Sequence, residues 1–158
     1  MKVVVNTTPI ISLAAINHLH LFEKLFGKII IAEAVYQEIK AQQSHAYHQI
    51  DCPFIEVQKI QGILYKELLL TQMDSGEAET IILAKEIDAD FVIIDENIGY
   101  KFANNAGLTT IRTLSILLKA KEKNITSEIK PLLDEMIVKG RWYSKNVYQS
   151  FLTRAGEL

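Results

Sequence analysis

The chain has 158 residues, enough for one domain with a sizeable core, and its 49% hydrophobic and 23% charged content is that of an ordinary soluble globular protein. A formal net charge of −2 excludes a large basic field for nucleic acid, while leaving room for a small local one. Cys52 is the sole cysteine, which excludes an intramolecular disulfide and suits a reducing, cytoplasmic setting. No run approaches ~18 apolar residues, so no membrane span is expected.

Val3 to Val5 is expected as a first strand, too short an apolar run for a signal peptide, ending at Asn6. Thr8 is the expected N-cap of the next helix, with Pro9 at its first position and Ile10, Leu13 and Ala14 facing inward. A second short helix is expected over 18–26, stopped by Gly27, and then a strand over 28–31. In the helix over 33–42, Glu38 lies on the same stripe as Val35 and Ile39. Burying a lone carboxylate is costly, so Glu38 calls for a partner such as a cation. Residues 43–53 read as a polar excursion, 54–57 as a short edge strand and 62–70 as a helix.

The stretch Asp74-Ser75-Gly76-Glu77-Ala78-Glu79 then opens a helix whose apolar positions at 81, 82, 83, 84 and 87 turn most of it toward the core. Asp74 and Glu77 also fit a capping box. Glu79 is two residues from Glu77 and cannot share its face, so Glu77 is preferred and Glu79 is kept as a supporting acid. The uninterrupted apolar run Phe91 to Ile94 predicts a strand covered on both faces, followed by Asp95 and Glu96 at its carboxyl edge. Asp95 could equally cap the following helix. A helix over 97–106 stopped by Gly107, a strand over 108–111 and a helix over 114–121 come next. Amphipathic helices over 127–138 and 144–155 flank Gly140-Arg141-Trp142-Tyr143 and pack outside the sheet or against a second subunit. The alternation predicts an α/β fold: a three-layer α/β/α domain on a mainly parallel sheet, with a C-terminal helical extension over about 127–158.

Asn6, Glu38, Glu77 and Asp95 therefore converge in the expected fold. Magnesium or manganese would suit such an all-oxygen set and would assist phosphodiester hydrolysis. The histidines, in H-x-x-H at His45 and His48 and near each other at His18 and His20, read as surface groups lacking further zinc ligands. Lys101, Arg112 and Lys119 read as solvated surface. Arg141-Trp142-Tyr143 fits a buried aromatic hinge better than a stacking platform. No phosphate-binding Walker sequence, G-x-G-x-x-G or nucleophile elbow is present, which weakens kinase, dinucleotide and α/β-hydrolase readings.

The segments Asn6-Thr7-Thr8-Pro9-Ile10-Ile11, Ile31 to Glu38, Asp74 to Glu79 and Ile93-Ile94-Asp95-Glu96, taken in order, resemble PIN-domain proteins. More narrowly they resemble the VapC-like branch often encoded beside small antitoxins, and the likeness runs from about residue 3 to the last helix. It implies a metal-dependent endoribonuclease that cleaves single-stranded RNA with water as nucleophile, using Mg²⁺ or Mn²⁺. It also implies a small cognate antitoxin and a homodimer. The family's four acids would fall on Asn6, Glu38, Glu77 and Asp95, its small hydroxyl residue on Thr8, with Glu79 and Glu96 in support. Asn6 departs from the pattern by bringing an oxygen without a charge. The rival expectation is a catalytically weakened PIN-like protein that acts as an RNA- or protein-binding module.

Overall fold

The computed structural model describes residues 1–158, and its centre is a strand of three valines. This strand, β1 (Val3–Val5), pairs in parallel with β2 (Ile29–Ala32) on one side and β4 (Phe91–Ile93) on the other. β3 (Ile55–Gln58) closes one edge and β5 (Thr110–Ile111) the other, in the order β3-β2-β1-β4-β5, all parallel. Residues 3–5, 29, 31, 92, 93 and 94 are all fully buried valines and isoleucines. β-Branched residues with no polar alternation belong in strands covered on both faces, and the helices supply that cover.

The connections are α1 (Thr7–Ala15), α2 (His20–Phe26), α3 (Glu33–Ala41), α4 (Ile63–Leu69), α5 (Ser75–Glu86), α6 (Asn97–Asn105) and α7 (Thr113–Glu122), followed by α8 (Lys130–Val138) and α9 (Lys145–Ala155). Helix α5 packs on β1, β2 and β4, flanked by α3, α4 and α6, while α2 packs on β2 and against α7. The result is the expected three-layer α/β/α arrangement. No helix is long and apolar enough to cross a membrane.

Local departures from expectation have local causes. The first helix starts at Thr7, so Asn6 and not Thr8 holds the N-cap position, and Asn6 makes no side-chain capping bond because its amide is engaged elsewhere. The polar excursion contains a single 3-10 turn, Gln49–Asp51, anchored by buried Ile50. The C-terminal helices pack on their own chain: Glu157 accepts the N–H groups of Ile129 and Lys130 at the start of α8 and pairs with Lys121 of α7 at 2.9 Å. The segment between α8 and α9 corrects the expected buried hinge. Trp142 stands 80% exposed, while Arg141 turns inward.

Candidate functional site

The sheet order changes direction at β1, so the crevice between β1 and β4 is where an open parallel sheet leaves room for a ligand at its carboxyl ends. Asn6 leaves β1 into this crevice and is only 2% exposed. Its Nδ2 donates to Glu96 Oε2 at 3.1 Å, and its Oδ1 accepts from the Thr80 hydroxyl at 3.3 Å. A carboxylate can only accept, so the amide must present nitrogen to Glu96. The Thr8 hydroxyl, in the first turn of α1, donates to the other oxygen of Glu96. Glu96 is therefore fixed at both oxygens by the residues that follow β1.

Glu38 reaches the crevice from α3. Its two oxygens accept from the Thr7 hydroxyl at 2.6 Å and from the Gly76 N–H at 2.8 Å, in the first turn of α5. Glu38 thus has the partners its burial calls for: a hydroxyl and the positive end of a helix answer the desolvation cost. Gly76 has no side chain for a steric reason, since a Cβ there would sit 2.5 Å from Glu38 Oε2.

Glu77 lies in the first turn of α5, 8% exposed. Its N–H donates to Asp74 at 2.8 Å, which bears out Asp74 as the helix cap. The Glu77 carboxyl faces α6, where a Cβ on Gly99 would lie 2.9 Å from Oε2. Burial, then the negative charges of Asp74, Glu96 and Glu38, push its pKa up to about 8. None of Glu38, Glu77 and Glu96 belongs to an ion pair. The crevice thus holds three carboxyl groups beside a buried amide, with no lysine or arginine paired to them.

Asp95 and Glu79 lie elsewhere. Asp95 Oδ1 accepts from the Thr113 N–H at 2.8 Å, and Oδ2 accepts from the Thr113 hydroxyl at 2.6 Å and from Arg141 Nη1 at 2.7 Å. It closes the start of α7, not α6, and anchors Arg141, whose Nη1 also donates to Ser12 at 3.0 Å. The structure brings Glu96, the next residue, to the position facing Asn6 and Thr8. Successive residues leaving a strand point to opposite sides, and the apolar run up to Ile94 gives no sign of which acid turns inward. Glu79, two residues from Glu77 and so on another face of α5, accepts from the Ala34 N–H at 3.0 Å and pairs with Lys66 at 2.6 Å. It ties α3, α4 and α5 together away from the crevice. Thr7 and Thr80 are contributors that the sequence reading did not single out. A hydroxyl one residue before Thr8 and another one turn along α5 from Gly76 are the only sequence signals for them.

The donor chemistry of Asn6, Glu38, Glu77 and Glu96 is that of a hard divalent cation: oxygen atoms and uncompensated negative charge. No three His, Cys, Asp or Glu side chains converge on one centre, because Glu38 and Glu96 are turned aside into hydrogen bonds with hydroxyl, amide and backbone groups.

A family model described as a PIN domain matches residues 2–157. No curated protein matches the chain.

Proposed function

From the premise that the chain belongs to the PIN-domain family, whose members are generally nucleases, we propose that it is a metal-dependent endoribonuclease acting on single-stranded RNA. The observation that carries this reading is the gathering of Glu38, Glu77 and Glu96 at the β1/β4 crevice without a counter-cation, where burial first, then Asp74 and these neighbours, push Glu77 up to about 8. Structural carboxylates in the same protein, Glu79, Asp95 and Glu157, each have a basic partner. Groups whose charges are left in conflict inside a crevice mark a functional site more often than a structural one.

Asn6, Glu38, Glu77 and Glu96 would hold Mg²⁺ or Mn²⁺, and such an ion supplies polarisation of a phosphoryl oxygen and a more acidic bound water. Thr8 keeps Glu96 in place through its hydroxyl. In the metal-free chain burial and the neighbouring carboxylates keep Glu77 largely protonated near neutral pH, so joining the ligand set would require it to release that proton. Asp95 serves the site at one remove, holding Arg141 and the start of α7 beside it.

The VapC-like resemblance extends the proposal to a toxin acting as a cytoplasmic homodimer, one PIN-like unit over 1–158 with its helical extension over about 127–158. A small cognate antitoxin would silence it by placing a basic residue among the crevice carboxylates, which supplies the charge they lack. One observation favours the second reading, a weakened nuclease that acts as an RNA- or protein-binding module. Asn6 presents an N–H to Glu96 where a charged ligand would present an oxygen. Incubating labelled single-stranded RNA with Mg²⁺ or Mn²⁺ separates the two. Cleavage by the wild type that is lost in Glu77→Gln and Glu96→Gln supports the nuclease. Equal cleavage by all three proteins means a contaminant, and no cleavage with either metal favours the binding module.

A further inference from the structure

The chain contains three arginines, Arg112, Arg141 and Arg154, and a single tryptophan, Trp142, and all four line two adjoining cavities. One cavity, ≈ 440 Å³, lies between Asp95 at the end of β4 and the segment joining α8 to α9. The other, ≈ 370 Å³, runs between α7 and α9 to Arg154. Arg112, Leu114 and Val147 border both, so the two form one groove that reaches Asp95, the residue preceding Glu96 of the acid crevice. No lysine lines either cavity, although lysine is the commoner base in the chain.

That choice of residue has chemical content. A guanidinium is a planar fork matched to phosphate oxygens, whereas an ammonium is a point charge. Arg112 is held in place by the backbone carbonyl of Asp95, by Asn97 Oδ1 at 3.0 Å and by the Tyr100 ring, and Arg141 by Asp95 and Ser12. Five donors per guanidinium leave each with N–H groups to spare. Trp142, 80% exposed on the same wall, offers a flat apolar face to solvent. Tyr143, also in this wall, lies under the Arg141 guanidinium, 5.1 Å from its ring centroid.

We propose that this groove binds a single-stranded nucleic acid leaving the acid crevice, with phosphates on Arg112 and Arg154 and a base stacked on Trp142. The proposal rests on the nuclease reading for the direction of the strand, though not for its chemistry. A chain of net charge −2 gathers all its arginines along this path, and that local concentration provides the electrostatics the whole molecule lacks. Stacking on an indole is available to an unpaired base and not to a duplex.

Binding without cleavage tests it. The wild type in EDTA is titrated with a labelled single-stranded RNA of about ten nucleotides, following both anisotropy and the fluorescence of the lone tryptophan. Quenching of Trp142 is expected on binding, with affinity falling roughly tenfold in Trp142→Ala. Arg154→Gln should reduce the slope of log affinity against log salt by about 0.7, one phosphate contact on a single strand. Lys28→Gln, in the exposed Lys28–Glu56 pair, should change neither. Wild-type affinity and salt slope in both groove variants, or binding without quenching, would overturn the groove. So would quenching by a poly-glutamate peptide but not by RNA. Cleavage in Mn²⁺ is scored separately. A protein that cleaves through Glu77 but binds RNA independently of Trp142 and Arg154 overturns the groove alone. Groove-dependent binding with no cleavage overturns the nuclease alone.

Discussion

Two groups of acids sit side by side at the carboxyl edge of the sheet and are treated in opposite ways. Asp95 is matched: a backbone N–H, a hydroxyl and a guanidinium occupy its two oxygens, and its charge is balanced by Arg141. Glu96, one residue on, and Glu77, across the crevice, have no such cation, and Glu77 is driven well above the ordinary carboxyl range. The first arrangement stabilises the fold. The second costs stability, a cost that the proposed divalent cation would offset. The difference teaches that adjacency to a strand end is not enough to assign a site; the partner of each carboxylate has to be found.

The largest effect expected is on chemistry. Glu77→Gln should lower RNA cleavage by about a thousandfold, since losses at outer-shell partners of metal sites already run to 10–100-fold. Asp95→Asn should act through stability, leaving cleavage by the folded fraction within about tenfold of wild type. Equal loss in the two variants, measured on protein shown to be folded, would erase the distinction between the acid groups. Next in size is the matched pair itself. The Arg141 and Asp95 side chains are 23% and 7% exposed, so Arg141→Ala strands a largely buried carboxylate and should cost about 3 kcal/mol. Denaturant unfolding checks this, and Asp95→Asn in the same chain should recover a good part of the loss. Additive losses would mean that the two groups do not interact.

The unmatched group predicts the opposite sign. Glu77 holds its proton up to about 8 in the folded chain against an ordinary value of 4.5. Between those values the unfolded chain releases a proton that the native state keeps, so metal-free stability is highest below about 4.5 and declines as pH rises toward 8. Glu77→Gln should flatten that decline and stabilise the metal-free protein at pH 8 by about 2 kcal/mol, or roughly 4–8 °C in thermal midpoint. A midpoint in EDTA that rises with pH over this window in the wild type would contradict the assignment.

Much of this was legible in the residues. The valine and isoleucine runs at 3–5, 29–31 and 91–94 identify the buried strands, and Gly27 and Gly107, with φ of +77° and +86°, end their helices as expected. The placement of Asn6, Glu38 and Glu77 at the carboxyl edge of the sheet follows from that layering. Three things were not legible. Periodicity cannot say which of Asp95 and Glu96 turns inward after a strand, because that depends on backbone direction past the last ladder bond. Nor can it reveal that Thr7 and the start of α5 satisfy Glu38, since both contacts span more than thirty residues. Arg141 was out of reach for the same reason, forty-six residues from Asp95. Its neighbours read as an aromatic hinge only because exposure of Trp142 leaves no mark on sequence spacing.

Asn6→Asp sharpens the contrast most narrowly, because it changes one buried atom from a donor to an acceptor. In the native chain the amide nitrogen donates to Glu96 at 3.1 Å. An aspartate there would replace that bond with repulsion, and the metal-free protein should lose about 1 kcal/mol at neutral pH. The same charge would strengthen the hold on a divalent cation, with Mn²⁺ affinity by calorimetry rising about tenfold and cleavage rising with it. The opposed signs are the test. A variant destabilised in EDTA and unimproved in Mn²⁺ would leave Asn6 as a structural replacement for a lost ligand, and the crevice would then belong to the binding module and not to the nuclease.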